Sequence, residues 1–164
     1  MPAKILKQKL NNAQRVAVLG VGSELRGDDV AGLLVAQQIE KTITEQTMPE
    51  IRVFIGETAP ENLTGEIKKF QPTHLIIIDA AELNKKPGHI EIMEPQTIGG
   101  TSFCTHSLPL KVIIGYLLES FKFQAIIIGI QPKTLVFGAQ PTKEVVAAAK
   151  HIAKTITALF KTAK

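Results

Sequence analysis

Short runs of consecutive apolar residues alternate along the chain with segments whose apolar residues recur every three or four positions. Such blocks predict strands and helices in turn. Arg15–Val21 (RVAVLGV) is a β-branched apolar run and reads as a strand. Residues 28–40 place Val30, Leu33, Leu34 and Ile39 behind two acids and read as a helix. Residues 51–55 predict a second strand, and 61–70 a short helix stopped before Pro72. Residues 74–79 (HLIIID) are apolar from Leu75 to Ile78, the pattern of a central strand covered on both faces. After a turn at Pro87-Gly88, residues 89–93 alternate as an edge strand does. Residues 107–119 predict a helix with Pro109 in its first turn, and Gln124–Ile130 (QAIIIGI) another buried strand. Val145, Ala149, Ile152, Ile156 and Leu159 form one helical stripe, with Thr142 as its N-cap. Residues 3–12 are either an extra short helix or a frayed tail.

Strands alternating with helices imply an α/β sandwich around a mostly parallel sheet. A length of 164 residues suits one domain over 1–164, with 1–14 as an N-terminal extension. The composition, 45% apolar and 21% charged, is that of a folding chain. A single cysteine, Cys104, excludes an internal disulfide and a multi-cysteine zinc site. No apolar run approaches the roughly 20 residues of a membrane span. The opening MPAKILKQKL lacks the continuous apolar segment of a secretion signal. A cytosolic protein without membrane insertion is therefore expected. The net charge of +4 raises the question of nucleic acid, but the 19 Lys and Arg are scattered and aromatic residues are only 5%, with no Trp. No zinc-finger, RRM or KH pattern occurs. A lysine-rich solvated surface with no nucleic-acid partner is the expectation.

In parallel sheets the site lies beyond the carboxyl ends of the strands. The first strand runs into Gly20-Val21-Gly22-Ser23-Glu24-Leu25-Arg26-Gly27-Asp28-Asp29. For a dinucleotide loop the third glycine comes two positions late, and the Lys-Ser/Thr of a P-loop is missing. A phosphate here would meet two carboxylates. Like charges about 4 Å apart cost roughly 1–4 kcal/mol, more than the about 0.3–1 kcal/mol a helix dipole returns. The loop suits a cation, or a substrate carrying one.

Asp79 ends the third strand, and His106 stands just before a predicted helix in Cys104-Thr105-His106-Ser107-Leu108-Pro109. Taken singly, Asp28 or Asp29 is an ordinary helix-start acid, Asp79 a turn residue and His106 a cap or surface histidine. Taken together, two carboxylates and one imidazole at element junctions can bind a divalent ion and leave positions open for exchange. Nickel, zinc, iron and manganese all suit such a set. No G-x-S-x-G elbow occurs. Cys104 and His106, two apart, would share a face of a strand, so a thiol–imidazole pair is the alternative nucleophile. His74, His89 and His151 read as surface or core histidines. These residues point to a cation-related α/β enzyme or binder, with a small-molecule or nucleotide-binding module as the alternative.

Four stretches in order, VLGVGSELRGDDVAG, GETAPENLTGEIKKFQPTHLIIIDA, CTHSLPL and IIIGIQPKTLVFG, carry a resemblance. From Arg15 to about Thr155 the chain resembles the hydrogenase maturation endopeptidases, most of all the type acting on the large subunit of hydrogenase 3 and its energy-converting relatives. The resemblance implies a three-layer α/β/α sandwich around a twisted five-stranded sheet. It implies removal of a C-terminal peptide from a [NiFe] hydrogenase large-subunit precursor after nickel insertion. The nickel would be supplied by the substrate, and the family's contact residues map onto Asp29, Asp79 and His106. A monomer is expected, and a non-catalytic maturation chaperone is the rival reading. Two positions depart from the family loop: Ser23 stands where asparagine is common, and Val30 where glycine follows the aspartates. Val30 is expected to reduce backbone freedom beside Asp29.

Overall fold

The computed structural model describes residues 2–43, 49–98, 102–103 and 109–160. The chain forms α1 (Pro2–Lys9), β1 (Arg15–Val21), α2 (Ala31–Thr42), β2 (Glu50–Glu57), α3 (Thr64–Phe70), β3 (His74–Glu82) and β4 (Ile90–Met93). It continues through the two-residue β5 (Ser102–Phe103), α4 (Leu110–Leu118), β6 (Gln124–Ile130) and α5 (Lys143–Phe160). The main sheet runs β2-β1-β3-β6-β4. β1, β2, β3 and β6 are parallel, and β4 closes the edge antiparallel to β6. β5 pairs antiparallel with the far end of β3, at Ala81 and Glu82.

Strand alternation divides the core in two. Val16, Val18, Ile76, Ile78, Ile126 and Ile128 face α1, α2 and α5. Ala17, Leu19, Leu75, Ile77, Ala125 and Ile127 face α3 and α4. This is the expected α/β/α sandwich with a mostly parallel five-strand body. The residues at 3–12 settle as a helix, because Leu6 is wholly buried and Leu10 nearly so. α1 packs on α5 and β4, and Lys9 pairs with Glu94.

Three helix starts differ from expectation. The segments expected to open helices at 28 and 61 begin instead as tight 3-10 turns, Gly27–Val30 and Pro60–Leu63. Pro109 stands outside α4 in an extended conformation, because α4 starts at Leu110. Residues 107 and 108, expected in that helix, lie outside the described residues.

α2 lies unusually close to the sheet. A Cβ built on Gly32 would stand 2.1 Å from the Ile78 carbonyl oxygen and 2.3 Å from that of Val21. Only glycine lets the helix approach the ends of β1 and β3 together. Gly32→Ala is expected to destabilise the protein by about 2–3 kcal/mol, because backbone on both sides must move. Equilibrium urea unfolding checks this; a midpoint equal to wild type would contradict the packing.

Candidate active site

From β1 the chain moves to β2 on one side, then crosses to β3 on the other. The strand order therefore reverses between β1 and β3. In parallel sheets a ligand crevice lies beyond the carboxyl ends of the strands at such a reversal; here α2 leaves β1, while β3 runs on to β4. The turn after β1 carries Asp29, and β3 carries Asp79. The close fit of Gly32 against Val21 and Ile78 ties that turn to the residue preceding Asp79.

Asp29 sits in the 3-10 turn Gly27–Val30 and is fully buried. Its backbone is held by Asp29 N–H donating to the Arg26 carbonyl (3.1 Å) and by Ser23 N–H donating to the Asp29 carbonyl (3.2 Å). Neither side-chain oxygen has a hydrogen-bond partner among the described residues. The nearest cation is the Arg26 guanidinium, 3.9 Å from Oδ2. Burial raises the Asp29 carboxyl from its ordinary value to about 6, against a smaller lowering by Arg26. A buried carboxylate left without donors is costly unless it gains a cation or a proton.

Asp79 is also fully buried, in register with Gly129 of β6. It shares strand parity with Leu75 and Ile77, so it belongs to the sheet face covered by α3 and α4. The segment bearing His106 leads into α4. His106 itself, and Cys104 of the alternative thiol route, lie outside the described residues. Among the described residues no three His, Cys, Asp or Glu side chains are grouped to hold a metal ion. The structure thus places two of the three expected donors, both buried, at or just beyond the carboxyl ends of the neighbouring strands β1 and β3.

Asp28 has a different task from the one its position suggests. Expected to answer the amides of its own helix start, it turns across to the loop after β6. Its carboxylate accepts from the backbone N–H groups of Lys133 (2.8 Å), Thr134 (3.1 Å) and Thr142 (2.6 Å). The Thr142 hydroxyl donates to both oxygens, at 3.0 and 2.9 Å. Thr142 also opens α5, its carbonyl accepting from Val146 N–H. Gln131, just past β6, is another buried clamp. Its Oε1 accepts from Leu83 N–H (2.7 Å), and its Nε2 donates to Glu82. Composition gave no hint of either role; for Gln131 the signal was a polar residue directly after an apolar strand, in IIIGIQP.

The two departures in the loop are accommodated. Val30 adopts φ −74° and ψ −6°, an ordinary helical conformation, so this position makes no demand for glycine. The Ser23 hydroxyl accepts from Leu25 N–H at 3.2 Å. Beside the turn opens a cleft of about 240 Å³, lined by Gly22, Ser23, Glu24, Leu25, Glu57 and Thr58, among others. His74, a core histidine, is buried against the Thr73 hydroxyl, and His89 is an exposed partner of Glu91. No helix among the described residues is long and apolar enough to cross a membrane.

The sequence profile of the HycI hydrogenase maturation protease family matches residues 33–159. The hydrogenase 3 maturation protease of Escherichia coli is 35% identical over 133 residues, 79% of this chain and 82% of that protein. The crystal structure of the [NiFe] hydrogenase maturation protease HycI from Thermococcus kodakarensis superposes with a TM-score of 0.86 at 26% identity, covering 94% of this chain and 97% of that one. The solution structure of the endopeptidase HycI from E. coli gives a TM-score of 0.72 at 30% identity, over 86% and 87% of the two chains.

Proposed function

This chain belongs to the HycI hydrogenase maturation protease family, and we propose that it removes the C-terminal peptide of a [NiFe] hydrogenase large-subunit precursor once nickel is in place. The observation that carries the reading is Asp29, a buried carboxylate with no hydrogen-bond donor among the described residues at the strand-order reversal. Such a group gains most from a cation that arrives with the substrate.

In this reading the precursor's nickel is shared with Asp29, Asp79 and His106. The substrate's metal supplies Lewis acidity at the scissile amide. A carboxylate oxygen not engaged by the metal takes a proton from the attacking water. That proton then passes to the leaving amine as the C–N bond breaks. Donors with nothing to grip do not hold the unloaded precursor, so cleavage follows metal insertion and acts as a checkpoint. One protomer carries all three donors, so a monomer acting in the cytoplasm suffices.

The test compares nickel-loaded and nickel-free precursor, incubated with wild type and with Asp79→Ala and His106→Ala. Wild type is expected to cut only the loaded form, and each variant to lose at least about a hundred-fold in rate. Equal cleavage of unloaded precursor would sink the checkpoint. Wild-type rates in both variants would sink the donor assignment. Tight binding of loaded precursor by wild type with its tail still attached would favour a non-catalytic chaperone.

A further inference from the structure

Three large apolar side chains stand out as the most exposed on the described surface: Leu25 (61%), Val136 (65%) and Phe137 (76%). They come from loops more than a hundred residues apart, and the fold pairs those loops by backbone. Gly138 N–H donates to the Leu25 carbonyl (2.8 Å), Gly27 N–H to that of Ala139 (3.2 Å) and Asp28 N–H to that of Thr134 (2.9 Å). From Thr134 to Pro141 the chain reads TLVFGAQP, with no charged residue.

These side chains are not tips of a loose loop. Both ends of the segment, at Lys133-Thr134 and at Thr142, are tied to the single buried carboxylate of Asp28. A rigidly mounted apolar ridge facing water marks an interaction surface. Its location says with what. Leu25 also lines the cleft that opens beside the Asp29 turn, so ridge and cleft are continuous. A polypeptide whose tail lies in that cleft meets the ridge at Leu25, which belongs to both. A second copy of this chain bound there would cover the cleft and shut out substrate.

We propose that Leu25, Val136 and Phe137 form the docking ridge on which the precursor protein rests an apolar surface while its C-terminal tail enters the adjoining cleft. The proposal rests on the reading of the chain as a precursor protease. It assigns recognition of the folded substrate to residues apart from the metal donors. The ridge contributes contact area and aromatic anchoring, the features that dominate protein interfaces. The pinned loop keeps that area in the binding geometry before substrate arrives.

The experiment measures steady-state cleavage of full-length, nickel-loaded precursor by wild type, Leu25→Ser and the double variant Val136→Ser/Phe137→Ser. Thermal unfolding confirms that each variant is folded. The expected result is a KM raised about ten-fold or more in the double variant, with a smaller rise in Leu25→Ser and the loss falling on KM rather than kcat. Unchanged KM in folded variants, beside normal wild-type cleavage, would overturn the ridge and leave the protease reading standing. Wild type that neither binds nor cleaves the precursor would overturn both. Sedimentation supplies the remaining arm: a wild-type dimer that the double variant breaks would assign the ridge to self-association and overturn the proposal.

Discussion

Asp29→Asn is expected to stop precursor cleavage and, in the same protein, to raise stability at neutral pH. The sign follows from the folded carboxyl value of about 6, against an ordinary 3.8. The folded state holds the Asp29 proton more tightly than the unfolded chain does. The stability this contributes is fully present below about 3.8 and is lost as pH rises through about 6. Above that point wild type keeps a buried anion that accepts no hydrogen bond from any described residue. A difference of about two pH units corresponds to roughly 3 kcal/mol. The buried amide of asparagine still lacks partners and gives back about 1–2 kcal/mol of that. The net expected gain is about 1–2 kcal/mol at pH 7.5, shrinking towards zero or reversing near pH 4. Urea unfolding of wild type and variant at both pH values checks the size and the sign. Cleavage of loaded precursor by the same samples checks the other half. A variant less stable than wild type at pH 7.5 would mean that Asp29 is compensated where it lies.

The neighbouring substitution is expected to act in the opposite direction. Asp28→Asn replaces one acceptor oxygen by a donor amide facing backbone N–H groups. Some of the donors from Lys133, Thr134 and Thr142 must then lose their partner inside the protein. Breaking a buried charged network from one side costs about 3–5 kcal/mol. The expected result is a loss of that order in urea unfolding. Amide hydrogen exchange at 133, 134 and 142 should quicken beyond what the global loss explains, since the loop is freed locally. Two adjacent, equally buried aspartates thus answer the same chemical change with opposite signs. A measured loss below about 1 kcal/mol would show that the loop after β6 is held by other means.

What could be read along the chain follows from how local each feature is. The long apolar runs of β1, β3 and β6 and the stripe of α5 carry their own periodicity, so their type and limits were legible. β5 was not, since two residues have no period. The 3-10 starts at Gly27 and Pro60 were read as helix because the apolar spacing over a single turn does not separate the two geometries. α1 was ambiguous until Leu6 found a place against the main core. Asp29, Asp79 and His106 stand out together by their positions at element ends, since parallel topology sends strand ends to one side of the sheet. Asp28 was misjudged because its partners lie more than a hundred positions downstream, and nothing nearby in sequence signals them. Val30 was expected to constrain the turn and does not, because the observed backbone there is helical.

The crevice depends on pieces of chain made at very different times. The loop bearing Asp29 is made before the segment that holds it. Residues 133 to 142, which anchor it through Asp28, follow more than a hundred residues later. Asp79 acquires its β6 neighbour, Gly129, almost as late. A nascent or truncated polypeptide therefore has the acids but not their arrangement. The acids take up their arrangement only once residues 133 to 142 have joined the fold.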